Sequence, residues 1–257
     1  MKMSYFLERI RMFIKVLTLL VNTNIFLYLD YRNFLEQIIV VGPNSLFITV
    51  TTSFFISLVL SLQIVKEFLY LNAINLVSSV LVLSFIRELS PVLTSIIVIG
   101  KIGSFFTSEI ATMVVTDQID ALLILGINPV YYLIAPRVFA VTLLLPILNL
   151  FSIFTSFLSS AFICFVLYLI SPQLFFLSIS YKFLLSDLIK SITKAVIFGL
   201  CVSIVSCVWG ITAKGGSQGV GLSTTSSVIV SLLLIFILNF ILSYLMFSDL
   251  TSSFEMP

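Results

Sequence analysis

Charged residues are scarce in this chain of 257 amino acids. The 13 Lys and Arg and 11 Asp and Glu make up 9% of it, whereas 60% of the residues are hydrophobic. A soluble globular domain carries about 25% charged residues, so a soluble fold, a coiled coil and a disordered chain are excluded. Long uncharged runs and a mean hydropathy of +1.24 predict an all-α polytopic membrane protein rather than a transmembrane β-barrel.

Histidine is absent, which removes Ser-His and Cys-His nucleophilic sites and His-ligated metals. Cys164, Cys201 and Cys207 lie in apolar stretches without a CxxC pair and are interpreted as small buried residues. No GxxxxGK[ST] phosphate loop occurs, and the Gly-rich run at 215–221 is interpreted as a turn between two spans. No basic patch suits nucleic acid. We therefore expect no enzyme, no metal site and no nucleic-acid partner.

The spacing of charges predicts five membrane spans, because a bilayer core needs roughly 20 apolar residues per helix. They lie at about 46–65, 78–100, 138–165, 190–212 and 226–247. Segment 138–181 is uncharged and would reach about 66 Å as one helix. It contains either one span and a re-entrant or interfacial piece near Pro172, or a hairpin. One span is favoured, since Ser159-Ser160 makes a poor turn.

The pattern of residues 1–35 predicts a separate N-terminal segment that contains an amphipathic helix in the membrane interface. Polar and apolar side chains recur at helical spacing on opposite faces: Ser4, Glu8, Arg11 and Lys15 against Phe6, Ile10, Phe13 and Leu17. Charges through Lys15 and the lack of a small-residue cleavage site disfavour a signal peptide. Residues 36–250 predict a single transmembrane domain.

The distribution of Lys and Arg predicts the orientation of the chain. With the N-terminus inside, eight of them fall on the inner side and four on the outer side, in keeping with the positive-inside rule. The inner set is Lys2, Arg9, Arg11, Lys15, Arg32, Lys101, Arg137 and Lys214, and the outer set is Lys66, Lys182, Lys190 and Lys194. Segment 101–137 is thereby expected on the cytoplasmic side, or on the stromal side of a plastid membrane.

Two adjacent charges lie inside a predicted span. Arg87 precedes Lys101 by 14 residues, about 21 Å along a helix. Arg87 and Glu88 thus fall within the bilayer, where a charge near the centre costs roughly 2.5–3.5 kcal/mol. Pro91 removes the amide that would bond the Arg87 carbonyl, which favours a kink. Three interpretations stay open: a polar site facing a cavity, a structural pair tied to other helices, or a helix that starts later and leaves both charges at the interface.

A polar stripe follows on the inner side and predicts one amphipathic helix over 109–125, ended by Gly126 and Pro129. The stripe consists of Glu109, Thr112, Thr116 and Asp120, with Asp117 beside it. From the pattern alone, this helix either lies passively at the membrane interface or docks a soluble partner.

Several stretches of the chain resemble a known family. SLVLSLQ (57–63), RELSPVLTSIIVIGKIGS (87–104), SEIATMVVTDQIDALLILGINPVYYLIAPR (108–137) and KAVIFGLCVSIVSCVWG (194–210) are similar to the MlaE-type permeases. These are membrane subunits of ABC transporters that move lipids between membranes, and they include plastid-encoded members. The resemblance runs from about residue 35 to 248. It departs from the family pattern mildly, at Ser90, Lys101, Ala111 and Asp117.

The resemblance implies five spans after an interfacial helix, a homodimer, and ATPase subunits bound to the loop between spans two and three. Carried over by position, Glu109 to Leu122 would be the coupling helix, which assigns ATPase coupling to Glu109, Thr112, Thr116, Asp117, Asp120 and Leu122. Arg87 and Glu88 would line the lipid cavity, and Pro91 would be the structural kink beside them.

The resemblance also implies partners and a location. A partner with an MCE domain would deliver or receive the lipid on the far side of the membrane. ATP and Mg would be bound by the partner ATPase, and this chain would hold no cofactor. The expected location is a plastid envelope membrane, with a bacterial inner membrane as the alternative. The alternative function is a non-transporting assembly or scaffold protein.

Overall fold

The computed structural model describes residues 2–21, 31–171, 173, 175 and 185–247, and the regular elements in that part of the chain are helical. Within the described residues, five helical segments are long and apolar enough to cross a membrane: Tyr31–Tyr70, Leu76–Val115, Val130–Tyr168, Leu185–Ile211 and Gly216–Phe247. Each contains one predicted span to within a residue. The prediction of an all-α polytopic membrane protein is confirmed.

The helices, numbered in chain order, are α1 (Lys2–Val21), α2 (Tyr31–Tyr70), α3 (Ile74–Ser84), α4 (Ser90–Val98), α5 (Ser104–Val115), α6 (Gln118–Ile124), α7 (Ala135–Tyr168), α8 (Leu185–Ile211) and α9 (Gly216–Phe247). Three single π-helical turns interrupt them: π1 (Phe85–Leu89), π2 (Ile99–Gly103) and π3 (Val130–Ile134). Such turns are rare and are frequent at functional sites. One of them, π1, carries the Arg87-Glu88 pair.

Contacts divide the chain into two compact units. Unit 1 comprises Met1–Ser45, Ser95–Leu145 and Val196–Phe236, and unit 2 comprises Leu46–Thr94, Pro146–Ala195 and Ile237–Pro257. The predicted division into an interfacial segment, 1–35, and one transmembrane domain, 36–250, stays a prediction.

Helix α1 packs on the apolar core of unit 1. Val16 is buried in that core, and the Arg9 guanidinium lies 5.1 Å from the centre of the Trp209 ring. Arg11 and Lys15 are exposed, as are the apolar Ile10, Ile14 and Leu17. The helix therefore has one face on the protein, one apolar face and one basic face. This arrangement suits a helix in the membrane interface, although that location stays a prediction.

Small residues let the helices of unit 1 approach closely. A Cβ on Gly210 would lie 2.8 Å from Cβ of Ile110, so only glycine fits where α8 crosses α5. Nearby, the Thr107 hydroxyl lies 3.0 Å from the Ser206 carbonyl and 3.0 Å from the Ser227 hydroxyl. Close backbone approach and shared hydroxyls are the usual way to hold apolar helices together in lipid, where burial of apolar surface gives no gain.

Unit 2 uses the same kind of packing around a core that includes Val65, Leu81 and Phe85. Buried serines recur every four residues on α2, at Ser53, Ser57 and Ser61. Ser53 shares a hydrogen bond of 2.7 Å with Ser152 of α7, and Ser57 pairs with Ser159 in the same way.

Helix α7 runs without a turn through Ser159 and Ser160 to Tyr168, so the first part of segment 138–181 is one span, as favoured. Leu169 then takes a left-handed φ of 54°. The re-entrant piece predicted near Pro172 lies outside the described residues.

The Gly-rich run at 215–221 joins two spans, as the sequence predicted, but only its first residue lies in the turn. Gly215 has a positive φ of 101°, and helix α9 begins at Gly216. A Cβ on Gly219 would lie 2.1 Å from the carbonyl oxygen of Lys214. The glycines of this run therefore serve a tight helix start rather than an extended loop.

Candidate substrate and coupling sites

Arg87 and Glu88 lie on π1 in unit 2, and each is tied to helix α8. Arg87 Nη2 and Nε lie 2.9 and 3.2 Å from the Asp187 carboxylate. Lys194 Nζ lies 3.0 Å from Glu88 Oε1. Adjacent residues on π1 thus point at two residues of α8 that stand seven positions apart, which is two turns of one helix face.

Lys194 is the most enclosed charge of this cluster. Its side chain is 0% exposed, and its ammonium donates to the Ser243 hydroxyl at 2.8 Å and to the Arg87 carbonyl at 2.9 Å. The side chains of Asn239 and Ser243 also donate to Glu88, at 3.0 and 2.8 Å. A buried ammonium is tolerated only with such a set of acceptors, because its desolvation costs several kcal/mol.

Pro91 explains why a carbonyl is available to Lys194. Proline has no backbone N–H to bond the carbonyl four residues before it, which here is that of Arg87. The amide of Ser90 bonds the carbonyl of Phe85 in the π-helical pattern. The Arg87 carbonyl accepts from the Lys194 ammonium. The role of Pro91 as a kink stays a prediction.

Three cations of unit 2 lie at the C-terminal end of α9. Arg87, Lys190 and Lys194 each lie 5.0 Å from the centre of the Phe247 ring, and Lys190 donates to the Met246 carbonyl at 2.7 Å. Ring faces and helix C-termini both carry partial negative charge. Among the described residues of this cluster, three cations face the carboxylates of Glu88 and Asp187, which leaves an excess of one positive charge.

Sequence reasoning missed six residues of the cluster: Asp187, Lys190, Lys194, Asn239, Ser243 and Phe247. Lys190 and Lys194 were counted with the outer charges, and both lie on α8. The sequence did contain one signal for the missed pairs. Asp187 and Lys194 are seven residues apart and so share a helix face, and their charges are opposite to those of Arg87 and Glu88.

Ser90, a departure from the family pattern, continues the polar network. Its hydroxyl donates to Asn149 Oδ1 at 2.8 Å, and Asn149 Nδ2 donates to the Ser191 hydroxyl at 2.9 Å. All three side chains are buried. The side chain at position 90 therefore links α4 to α7 and, through Asn149, to α8.

The predicted coupling segment lies in unit 1, and the prediction of one helix over 109–125 is wrong. Helix α5 ends at Val115, Asp117 has a left-handed φ of 56°, and α6 begins at Gln118. The Thr116 hydroxyl bonds back to the Thr112 carbonyl at 2.9 Å. Thr and Asp compete with helical bonding in this way, and Asp tolerates the left-handed conformation.

The end of the segment is as predicted. Gly126 has a positive φ of 78°. Its amide bonds Leu123, and the amide of Ile127 bonds Leu122, each at 3.0 Å. These two bonds are the glycine stop of a helix C-terminus.

The six residues assigned to coupling have different surroundings. Thr112, Thr116, Asp117 and Asp120 are exposed. Leu122 lines a cavity of about 330 Å³ with Met113, Gln118, Ile119, Ala121, Leu125, Tyr132 and Leu133. Glu109 is ion-paired with the buried Arg137. Beyond the acidic edge, Ile124 and Leu125 are 86% and 73% exposed, so α6 presents both charge and apolar surface.

The described residues contain no group of three or more His, Cys, Asp and Glu that could hold a metal ion.

Comparison with known proteins places the chain. The family model described as permease MlaE matches residues 34–245, close to the span of the resemblance. The probable ABC transporter permease protein ycf63 of Pyropia yezoensis is 47% identical over 243 residues, which cover 95% of this chain and 89% of that protein.

Two further relatives come from other organisms. The probable ABC transporter permease protein slr1045 of Synechocystis sp. is 44% identical over 85% of this chain and 83% of its own length. Protein TRIGALACTOSYLDIACYLGLYCEROL 1, chloroplastic, of Arabidopsis thaliana is 41% identical over 88% of this chain and 65% of its own length. With a family model matched over most of its length and five apolar helices, the chain belongs to the MlaE permease family of ABC transporters and is a multi-pass membrane protein.

Proposed function

We propose that this permease moves a lipid, most simply a phospholipid, between membranes, energised by a separate ATPase subunit. The observation that carries the proposal is the charge cluster on π1. Arg87 and Glu88 side chains are 27% and 41% exposed, whereas their partners Asp187 and Lys194 are 3% and 0% exposed. The partners thus hold the cluster in place, and the two residues on π1 present its open side.

The chemistry of that open side suits a lipid headgroup. Charges inside apolar spans are costly, so they face polar matter. A guanidinium binds phosphate oxygens through its fork of donors, and the excess positive charge of the cluster favours an anion. An entering phosphate would compete with Asp187 for Arg87. Glu88 would repel the same phosphate and so aid its release.

The ATPase is proposed to dock on the segment 109–122 and the adjoining end of α6. Asp117 and Asp120 supply exposed negative charge, and Ile124 and Leu125 supply exposed apolar surface. The chain itself has no phosphate loop, so ATP and Mg would be bound by the ATPase, and this chain would hold no cofactor.

The remaining partners and the location follow from the same assignment. We propose a homodimer, because a single five-helix chain offers little room for a two-chain lipid, and a partner with an MCE domain on the far side. The likeness to a relative named chloroplastic supports a plastid envelope membrane, with the N-terminus on the stromal side.

Purification and reconstitution test the proposal. The permease is isolated in mild detergent, co-purifying proteins and bound lipid are identified by mass spectrometry, and the complex is placed in vesicles with a labelled phospholipid. An ATPase in the complex and ATP-dependent lipid movement are expected. A chain that purifies with other membrane proteins but moves no lipid with ATP would support the alternative, a non-transporting scaffold.

A further inference from the structure

Arg137, which is buried, forms an ion pair with the half-buried Glu109 in unit 1. Arg137 Nη2 lies 2.9 Å from Glu109 Oε2, and the Arg137 side chain is 3% exposed, against 32% for Glu109. The guanidinium also lies 5.3 Å from the centre of the Phe106 ring. Arg137 Nη1 and Glu109 Oε2 are both buried, and neither has a hydrogen-bond partner among the described residues. The pair is therefore held by the attraction of its charges rather than by an aligned hydrogen bond.

The pair joins the two helices that enter and leave the coupling segment. Glu109 lies on α5, before the break at Asp117, and Arg137 lies in the first turn of α7, directly after π3. The stretch from 110 to 136, which includes α6, is thus closed at its base by one ion pair. Within this stretch, Ile119 and Leu133 pack into the apolar core of unit 1.

An ion pair is an expensive way to close this stretch. Two buried charges rarely stabilise a fold more than an apolar pair of the same volume, but removing one partner leaves the other uncompensated. What a charged pair adds is a fixed direction, since an apolar contact allows neighbouring side chains to slide.

We propose that Arg137 is a positioning residue that fixes the direction of α6 through Glu109. Movement of a docked partner is then passed to α5 and α7 together rather than absorbed in the 110–136 stretch. This inference rests on the proposed function for its biological role, but the positioning itself is a property of the permease alone.

Amide hydrogen exchange on the permease alone is the first test. Arg137→Met should raise the exchange of residues 116–128 roughly tenfold, in the range of measured couplings between contacting residues. Exchange in α9 should stay unchanged. Arg137→Lys should restore most of the protection, because one nitrogen of the fork makes the contact. Glu36→Gln, which breaks the exposed pair of Glu36 with Arg32, is the matched control and should change nothing.

The second measurement separates positioning from mere stability. In the reconstituted complex, Arg137→Met should keep the ATPase at wild-type stoichiometry, while lipid moved per ATP hydrolysed falls roughly tenfold. A purely structural role would lower both the ATPase bound and the lipid moved in proportion to folded permease. Arg137→Lys, which is expected to restore the protection from exchange, should also restore the amount of lipid moved per ATP hydrolysed.

The outcomes are distinct. If exchange over 116–128 is unchanged in Arg137→Met, or if Met and Lys behave alike, the positioning role is overturned. Glu109→Gln gives the same test if Arg137→Met does not fold. If the wild-type chain moves no lipid with ATP while exchange still rises with Met and falls with Lys, the proposed function fails and the positioning role stands.

Discussion

The two units of this permease handle charge within an apolar fold in different ways. In unit 2, Glu88 and Lys194 share a network with Asn239, Ser243 and a backbone carbonyl, so each charged atom has several partners. In unit 1, Arg137 and Glu109 form an ion pair in which Nη1 of the arginine and Oε2 of the glutamate have no hydrogen-bond partner among the described residues. The network resists the loss of any one bond, whereas the single pair acts as one connection.

This difference fits the two proposed roles. A network orders many side chains, which suits a cluster whose exposed members are proposed to meet a lipid. A single ion pair is sufficient where two helices must keep one direction.

Removing the most enclosed charge should have the largest effect. Lys194→Met leaves Glu88 and the Arg87 carbonyl without their cation and should cost about 3–5 kcal/mol of stability. Thermal unfolding in detergent measures the loss, with Lys66→Met at an exposed position as the control. Lys194→Met combined with Glu88→Gln should recover part of it. If the single change costs no more than the control, unit 2 does not depend on the network.

Reversing the exposed acidic edge should change binding without changing stability. Asp117→Lys with Asp120→Lys should abolish co-purification of the ATPase while the permease inserts and unfolds normally, since surface changes away from contacts usually alter stability by about 0.5 kcal/mol or less. Glu36→Lys tests the effect of an added charge alone. Wild-type stoichiometry of the ATPase in the double variant would rule out docking at this edge.

A test of the proposed lipid contact at Arg87 requires that its buried partner, the Asp187 carboxylate, be neutralised as well. Arg87→Gln with Asp187→Asn removes both charges of that pair, and it should reduce photo-cross-linking to phospholipid roughly tenfold, the cost of a lost charge-assisted contact. Arg87→Lys should retain part of the cross-linking, because the charge stays and the fork is lost. Normal lipid movement by the double variant would show that Arg87 does not contact the substrate.

The smallest effect is expected at the edge of the network. Ser90→Ala removes the hydroxyl bond to Asn149 and should lower stability by about 1 kcal/mol. Ser226→Ala, whose hydroxyl donates to Leu222 of its own helix, should cost less. Calorimetry in detergent compares the two. Equal costs would mean that the bond between helices at Ser90 adds nothing to unit 2.

The sequence predicted the helices better than the partners of their charges. Uncharged runs of about 20 residues are a local signal, so each predicted span falls on one helix. The pairing of Arg87 with Asp187 joins residues 100 positions apart, and no local pattern records it. Burial of Arg137 was likewise invisible, because a lone arginine beside a span looks the same whether it is paired or solvated.

Local chemistry explains where two predicted elements differ from the structure. Apolar periodicity continues through 109–125, but the Thr116-Asp117 step breaks the helix by its own hydrogen bonding. The whole run 215–221 was interpreted as a turn, whereas α9 begins at Gly216, and Gly219 is required by the closeness of the Lys214 carbonyl. In both cases a side chain, or the lack of one, acts on the backbone of residues close to it in sequence. Hydrophobic periodicity is averaged over several turns and does not detect such local effects.

The π-helical turns have a consequence for how chains like this one change by insertion and deletion. A π turn holds one residue more than the α-helical turn that it replaces. Deleting one residue within Phe85–Leu89 would let this turn close as regular α-helix, because the wide turn takes up the extra residue. The faces of Ser90–Val98 would then keep their direction relative to Ile74–Ser84. When this chain is aligned with others, a one-residue gap at π1, π2 or π3 therefore marks a change in the turn alone, and the side chains beyond the gap still occupy matching helix faces.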